Sequence, residues 1–141
     1  MSLDRIFNIA GSAMNAQTTR MNTTASNLAN AGTVTGKENE ALRAKRTVFK
    51  TILEQQQKPH ENGFAGGVRI EGIQDDPSPI RKMSEPGNPM ADKDGYVYLA
   101  NVNEMTEMVE MMAAARSYQN NVEVVNTTKQ MMMRTIDIIK T

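Results

Sequence analysis

The sequence predicts a mainly α fold: long N- and C-terminal helices forming an elongated, coiled-coil-like pair, with a small β-hairpin or irregular insert between them. Three observations predict it. Apolar residues recur at heptad spacing along both ends, all five prolines lie in the middle, and β-type alternation is confined to that middle. The chain divides accordingly into an N-terminal assembly helix (1–32), a loop-rich insert with a basic segment (33–66), a small β element with a Pro-rich connection (67–100) and a C-terminal assembly helix (101–141).

The C-terminal helix is the strongest element. Steps of seven from Met108 give Ala115, Val122, Lys129 and Ile136, and steps of seven from Met111 give Tyr118, Val125, Met132 and Ile139. Lys129 is the sole charged exception, and the pattern is that of a helix whose seam faces another helix. Glu104, Glu107 and Glu110 open it, Arg134 and Lys140 lie near its end, and these charges oppose the macrodipole. Such a helix is about 55 Å long, more than a small core needs.

Its partner is expected to be the other end of the chain, together with copies or relatives of it. Phe7, Met14, Met21 and Leu28 repeat at seven; Leu3, Ala10, Gln17 and Thr24 precede them by four, and Ile6 and Ala13 widen the stripe. Ser2 suits an N-cap, and Gly32 stands where a terminator is expected. Only Asp4, Arg5 and Arg20 are charged in the first thirty-five residues. The small uncharged surface, including Ala25 and Ala29, fits close contact with more than one neighbour.

Between the helices, Arg43, Lys45, Arg46 and Lys50 surround Val48, Phe49, Ile52 and Leu53, a segment compatible with a loop holding a short strand or helix. From Gly63 the signals turn β-like: Val68, Ile70 and Ile73 alternate in part, and Asp94-Gly95 is a turn before Tyr96-Val97-Tyr98-Leu99. Asn101 is expected to start the last helix, with Glu104 in capping-box position.

Composition sets outer bounds. The 141 residues are 39% hydrophobic but 4% aromatic, a thin supply for a self-sufficient globule. Formal net charge is zero, so there is no global attraction to nucleic acid or an anionic membrane. Cysteine is absent, the N-terminus lacks the features of a cleaved secretory signal, and no run approaches the roughly 18 apolar residues of a membrane span. The chain is expected to be cytosolic or to leave the cell by a route that reads no cleavable signal.

Catalytic chemistry finds little support. His60 is the only histidine, in a polar Lys-Pro-His-Glu-Asn loop, and reads as solvated. Asp92-Lys93-Asp94-Gly95 begins like a calcium loop, but Val97 stands at the sixth position and Asn103 at the twelfth, so a turn into a strand is preferred. Seven of the twelve methionines lie between Met105 and Met133 and read as adaptable packing residues ahead of Cu(I) ligands. The basic segment reads as a polar face suited to an acidic partner surface, with no nucleic-acid module around it. No enzyme, cofactor or metal site is expected.

The stretches Ile9-Ala10-Gly11-Ser12-Ala13-Met14-Asn15-Ala16-Gln17, Arg20-Met21-Asn22 and Ala25-Ser26-Asn27-Leu28-Ala29-Asn30 resemble the N-terminal signature of the flagellar rod and hook axial proteins. Val34-Thr35-Gly36, Arg43-Ala44-Lys45 with Val48-Phe49, Glu85-Pro86-Gly87-Asn88-Pro89, Asp94-Gly95-Tyr96-Val97, Glu107-Met108-Val109, Ala115-Arg116-Ser117-Tyr118-Gln119 and Asn126-Thr127 narrow the resemblance to the proximal rod. Ala41-Leu42 and Ala100-Asn101-Val102 depart from the usual pattern at connections. The resemblance implies a non-enzymatic subunit, exported through the flagellar type III apparatus without signal cleavage. It also implies a place in the periplasm-spanning rod, with copies of itself, proximal and distal rod subunits and the rotor–rod junction protein as partners.

On this reading the assembly interface comprises Leu3, Ile6, Phe7, Ala10, Ala13, Met14, Met21, Ala25 and Leu28 at one end. At the other it comprises Met108, Met111, Ala115, Tyr118, Val122, Val125, Met132, Ile136 and Ile139. The isolated chain is expected to have frayed ends that order on incorporation. Another axial subunit is the nearest alternative; a soluble helical adaptor or chaperone is the alternative from a different class.

Overall fold

A computed structural model describes residues 3–54 and 65–139. Helix α1 spans Leu3–Ala29 and helix α2 spans Glu104–Ile139. Between them lie five strands, β1 (Val34–Thr35), β2 (Lys45–Glu54), β3 (Ala65–Asp75), β4 (Arg81–Ser84) and β5 (Tyr96–Leu99), and a 3-10 turn at Glu38–Glu40. The fold is therefore mixed α/β, which corrects the expectation of a mainly α pair carrying a small insert. All five strands are antiparallel, in a three-stranded sheet of order β1-β5-β4 and a two-stranded sheet β2-β3.

The physical reason lies in the basic segment. Thr47-Val48-Phe49-Lys50-Thr51-Ile52 is β-branched and aromatic enough to extend once a partner strand is present. That partner, β3, comes from beyond residue 64. Register is fixed by charge as well as by shape: Lys45 lies opposite Asp75, and Lys50 bonds Glu71 diagonally at 2.6 Å. The pairing shifts register between Val48 and Phe49, where a bulge bends the strand.

The helices run antiparallel. Asn27, near the end of α1, meets Glu107, near the start of α2, while Arg20, two turns back, meets Glu110 one turn on. Buried residues mark the seam: Ala10, Thr24 and Asn27 on α1, and Glu107, Ala114 and Thr128 on α2. Met111, Tyr118, Val125 and Met132 flank it, half-buried. The most buried α2 row, Glu107, Ala114, Asn121 and Thr128, is thus one residue earlier than Met108, Ala115, Val122 and Lys129, and Lys129 falls outside it. Its members are small or polar, so the backbones approach closely.

The β2-β3 hairpin packs on another face of α1. Gly67 permits the crossing: a Cβ there would lie 3.1 Å from Ser12 Oγ, which already accepts a hydrogen bond from the Val68 amide at 3.2 Å. Where helices and strands converge, Ala31, Ala44, Ala100 and Val102 form a small buried cluster. α2 begins two residues later than the sequence suggests. Asn103 is the cap, its Oδ1 accepting the Thr106 amide at 3.1 Å. The Asn101 side chain is occupied elsewhere, accepting from the Ala44 amide at 2.7 Å and donating to the carbonyls of Asp76 and Ser78 at 3.1 and 2.9 Å.

Candidate functional site

Two features dominate the molecule: a buried polar clasp at one end of the helix pair and an uncovered apolar helix end at the other. The clasp is centred on Glu107, whose side chain is 0% exposed. Oε1 accepts from Arg46 Nη1 at 2.7 Å and Oε2 from Asn27 Nδ2 at 2.9 Å. Asn27 also joins α1 to β2, accepting the Lys45 amide and donating to the Lys45 carbonyl, both at 2.8 Å. Arg46 in turn reaches Asp76 Oδ2 through Nε at 3.2 Å. Three elements distant in sequence are thus fastened by one carboxylate whose two oxygens both have donors.

The remaining cations of the basic segment are also engaged within the chain. Arg43 donates to the Asp76 and Ser78 carbonyls at 3.2 and 3.0 Å, and Lys45 and Lys50 face Asp75 and Glu71. A cleft of about 470 Å³ lies between α1, β2 and α2, and its cations Arg20, Lys45 and Arg46 all have carboxylate partners. Among the described residues, no group of three His, Cys, Asp or Glu side chains is placed to hold a metal ion. His60 lies outside the described residues.

Asp92 holds a turn. Oδ1 accepts the Asp94 and Tyr96 amides, each at 2.9 Å, and Oδ2 accepts the Tyr98 hydroxyl at 3.2 Å. Gly95 takes a φ of 80° in this turn, the left-handed region that glycine enters at least cost. The Tyr96 amide, then those of Asp94 and the Tyr98 hydroxyl, hold the Asp92 carboxyl below the usual carboxylate range. A depressed pKa stabilises the fold above the unfolded value near 3.8, and that contribution disappears as pH falls through the folded value. Asp92→Asn is therefore expected to lower stability at neutral pH and to flatten the acid limb of a Tm-against-pH curve. An unchanged acid limb would show that the turn contributes nothing.

The other feature is α2 itself, 36 residues against 27 for α1. Its last two turns and more, about 13 Å at 1.5 Å per residue, run past the start of α1. Ile136 is 51% and Ile139 78% exposed, with Met131 and Met133 also on the surface. At the opposite end, Met105 at 72% and Met112 at 64% form an outward apolar stripe with Met108 and Val109. The methionines expected to pack thus lie partly on open surface. Monomeric proteins rarely leave such patches uncovered.

The residues assigned to the assembly interface divide among these environments. Ala10 is buried; Leu3, Ile6, Phe7, Ala13, Met14, Met21 and Leu28 are half-buried; Ala25 is exposed. On α2, Met111, Ala115, Tyr118, Val122, Val125 and Met132 are half-buried, whereas Met108, Ile136 and Ile139 are exposed. Reading for apolar repeats passed over the clasp residues Asn27, Arg46, Asp76 and Glu107. One signal for Glu107 was present: stepping by seven from it gives Ala114, Asn121 and Thr128, a row with no exposed member.

Residues 7–36 match the family model described as flagella basal body rod protein, and residues 93–138 match flagellar basal body rod FlgEFG protein C-terminal. The chain is 49% identical to the flagellar basal-body rod protein FlgC of Yersinia enterocolitica, over 98% of each chain. It is 46% identical to that of Escherichia coli O157:H7 and 36% identical to that of Buchnera aphidicola subsp. Baizongia pistaciae, again over 98% of each. With its blocks matched in order along nearly the whole length, the chain belongs to the FlgC family of flagellar basal-body rod proteins, structural and non-enzymatic subunits of the rod.

Proposed function

We propose that this rod subunit polymerises through its terminal helices into the hollow, torque-transmitting shaft. Its outward α2 stripe and overhanging α2 end are covered by neighbouring subunits. The observation that carries the reading is the overhang, where Met131, Met133, Ile136 and Ile139 are exposed around a helix that is apolar on several sides. Met131, Met133 and Ile136 lie on different sides of that helix, interrupted by Arg134 and Asp137, so a single docking partner does not cover them all. A heterologous contact that does not close into a ring extends as a helix, the symmetry of a rod.

Copies of this chain, other proximal and distal rod subunits and the rotor–rod junction protein are the proposed neighbours. Export through the flagellar type III apparatus without signal cleavage, into a periplasm-spanning rod, completes the proposal. No helix among the described residues is long and apolar enough to cross a membrane. The intramolecular cover of α1 by α2 and the hairpin narrows the expected disorder of the free chain to the parts beyond that cover.

Because the chain has no cysteine, Ile139→Cys provides a background-free probe. Maleimide is expected to label it rapidly in the dilute purified chain and on the order of a hundredfold more slowly in intact basal bodies, as burial requires. Equal labelling in both would refute cover by neighbours.

A further inference from the structure

Glu107 is buried in the α1–α2 seam near the start of α2, yet the cation that neutralises it belongs to neither helix. Arg46 is delivered by β2, and Asn27, the other donor to the carboxylate, is itself held in place by the backbone of Lys45 on the same strand. Asp76, just beyond β3, accepts from Arg46 Nε and so orients the guanidinium from the far side of the hairpin.

We infer that the β2-β3 hairpin is a conditional lock on the helix pair: Glu107 enters the seam only when Arg46 enters with it. Take the hairpin away and the carboxylate faces one neutral amide in a water-excluded seam, while that amide has lost both of its bonds to Lys45. The apolar groups that would compensate are few. Within residues 16–31 and 104–118 the other buried helix residues are Ala16, Thr24 and Asn27 on α1 and Ala114 on α2, all small or polar. The helices therefore stay parted along residues 16–31 and 104–118 until the hairpin docks, and the two events form one cooperative step. Further along the seam, buried Thr128 satisfies its own hydroxyl by donating to the Val124 carbonyl at 2.7 Å and depends on no second element.

The lock is a property of the single chain, so it stands or falls independently of how the rod is built. The test is amide exchange on the full-length purified chain, comparing wild type, Arg46→Met, Glu107→Gln and the double variant. Arg46→Met keeps an unbranched stem but removes the guanidinium and its charge. It is expected to speed exchange of residues 16–31 and 104–118 on the order of a hundredfold, as loss of one partner of a buried pair implies. Adding Glu107→Gln, which needs no counter-charge, is expected to restore most of the protection. If Arg46→Met alone does not fold, recovery of helical circular dichroism in the double variant gives the same answer. Two results overturn the inference: exchange unaffected by Arg46→Met, or a double variant as open as Arg46→Met, which would assign the loss to packing.

Discussion

An Ile136→Asp chain is expected to fold as the parent does and to leave cells that carry no other copy non-motile. Ile136 is 51% exposed in the single chain, so a carboxylate there stays hydrated and costs the isolated fold little. Once neighbouring helices close over the overhang, the same carboxylate is buried without a cation, at several kcal/mol per subunit. The defect recurs in every copy, so even a modest cost per contact stops growth of the rod. Val125→Asp and Leu28→Asp are expected to block assembly as well, but both positions are half-buried within the chain and the fold suffers too. The informative pair of measurements is circular dichroism on purified Ile136→Asp and swimming of the corresponding cells. Native spectra with normal swimming would remove the overhang from the assembly surface.

Glu107→Ala is expected to be the most damaging single change to the fold itself. It deletes the acceptor of Arg46 Nη1 and of Asn27 Nδ2 and leaves a cavity where the buried side chain stood. Breaking a buried pair by removing one partner costs about 3–5 kcal/mol. The Arg46 side chain is 40% exposed and keeps Asp76, so water screens part of the loss and the lower end of that range applies. For a chain of 141 residues this shifts Tm by about 10 °C. Thermal unfolding checks it. A shift of a degree or two would mean that the clasp is energetically neutral.

How much of this was legible beforehand depended on periodicity. The two helices were, because heptad repeats of Met, Leu, Val and Ile survive without knowledge of the partner. The turn at Asp94-Gly95 and strand β5 were legible from local chemistry. Strand β3 was legible in part from Val68, Ile70 and Ile73, but its pairing with β2 was hidden, since β2 is marginal alone and the register rests on pairs such as Lys45 with Asp75, thirty residues apart. The β1-β5-β4 sheet was hidden for the same reason: Val34-Thr35 is too short to be seen as a strand until Leu99 and Tyr98 lie opposite it. The clasp was illegible because a pattern search treats Glu107 as solvated, whereas its place inside follows from an arginine sixty-one positions away. The heptad pattern was followed through the greasier Met108, whereas the buried residues Glu107, Ala114 and Thr128 lie one position earlier.

The central claim is that the uncovered end of α2 is completed only by other subunits. An image reconstruction of intact basal bodies, with this chain traced through residue 139, tests it most directly. Helices from other chains are expected in contact with Met131, Ile136 and Ile139 on more than one side. Finding that end of α2 facing open solvent, with no chain against it, would contradict the account.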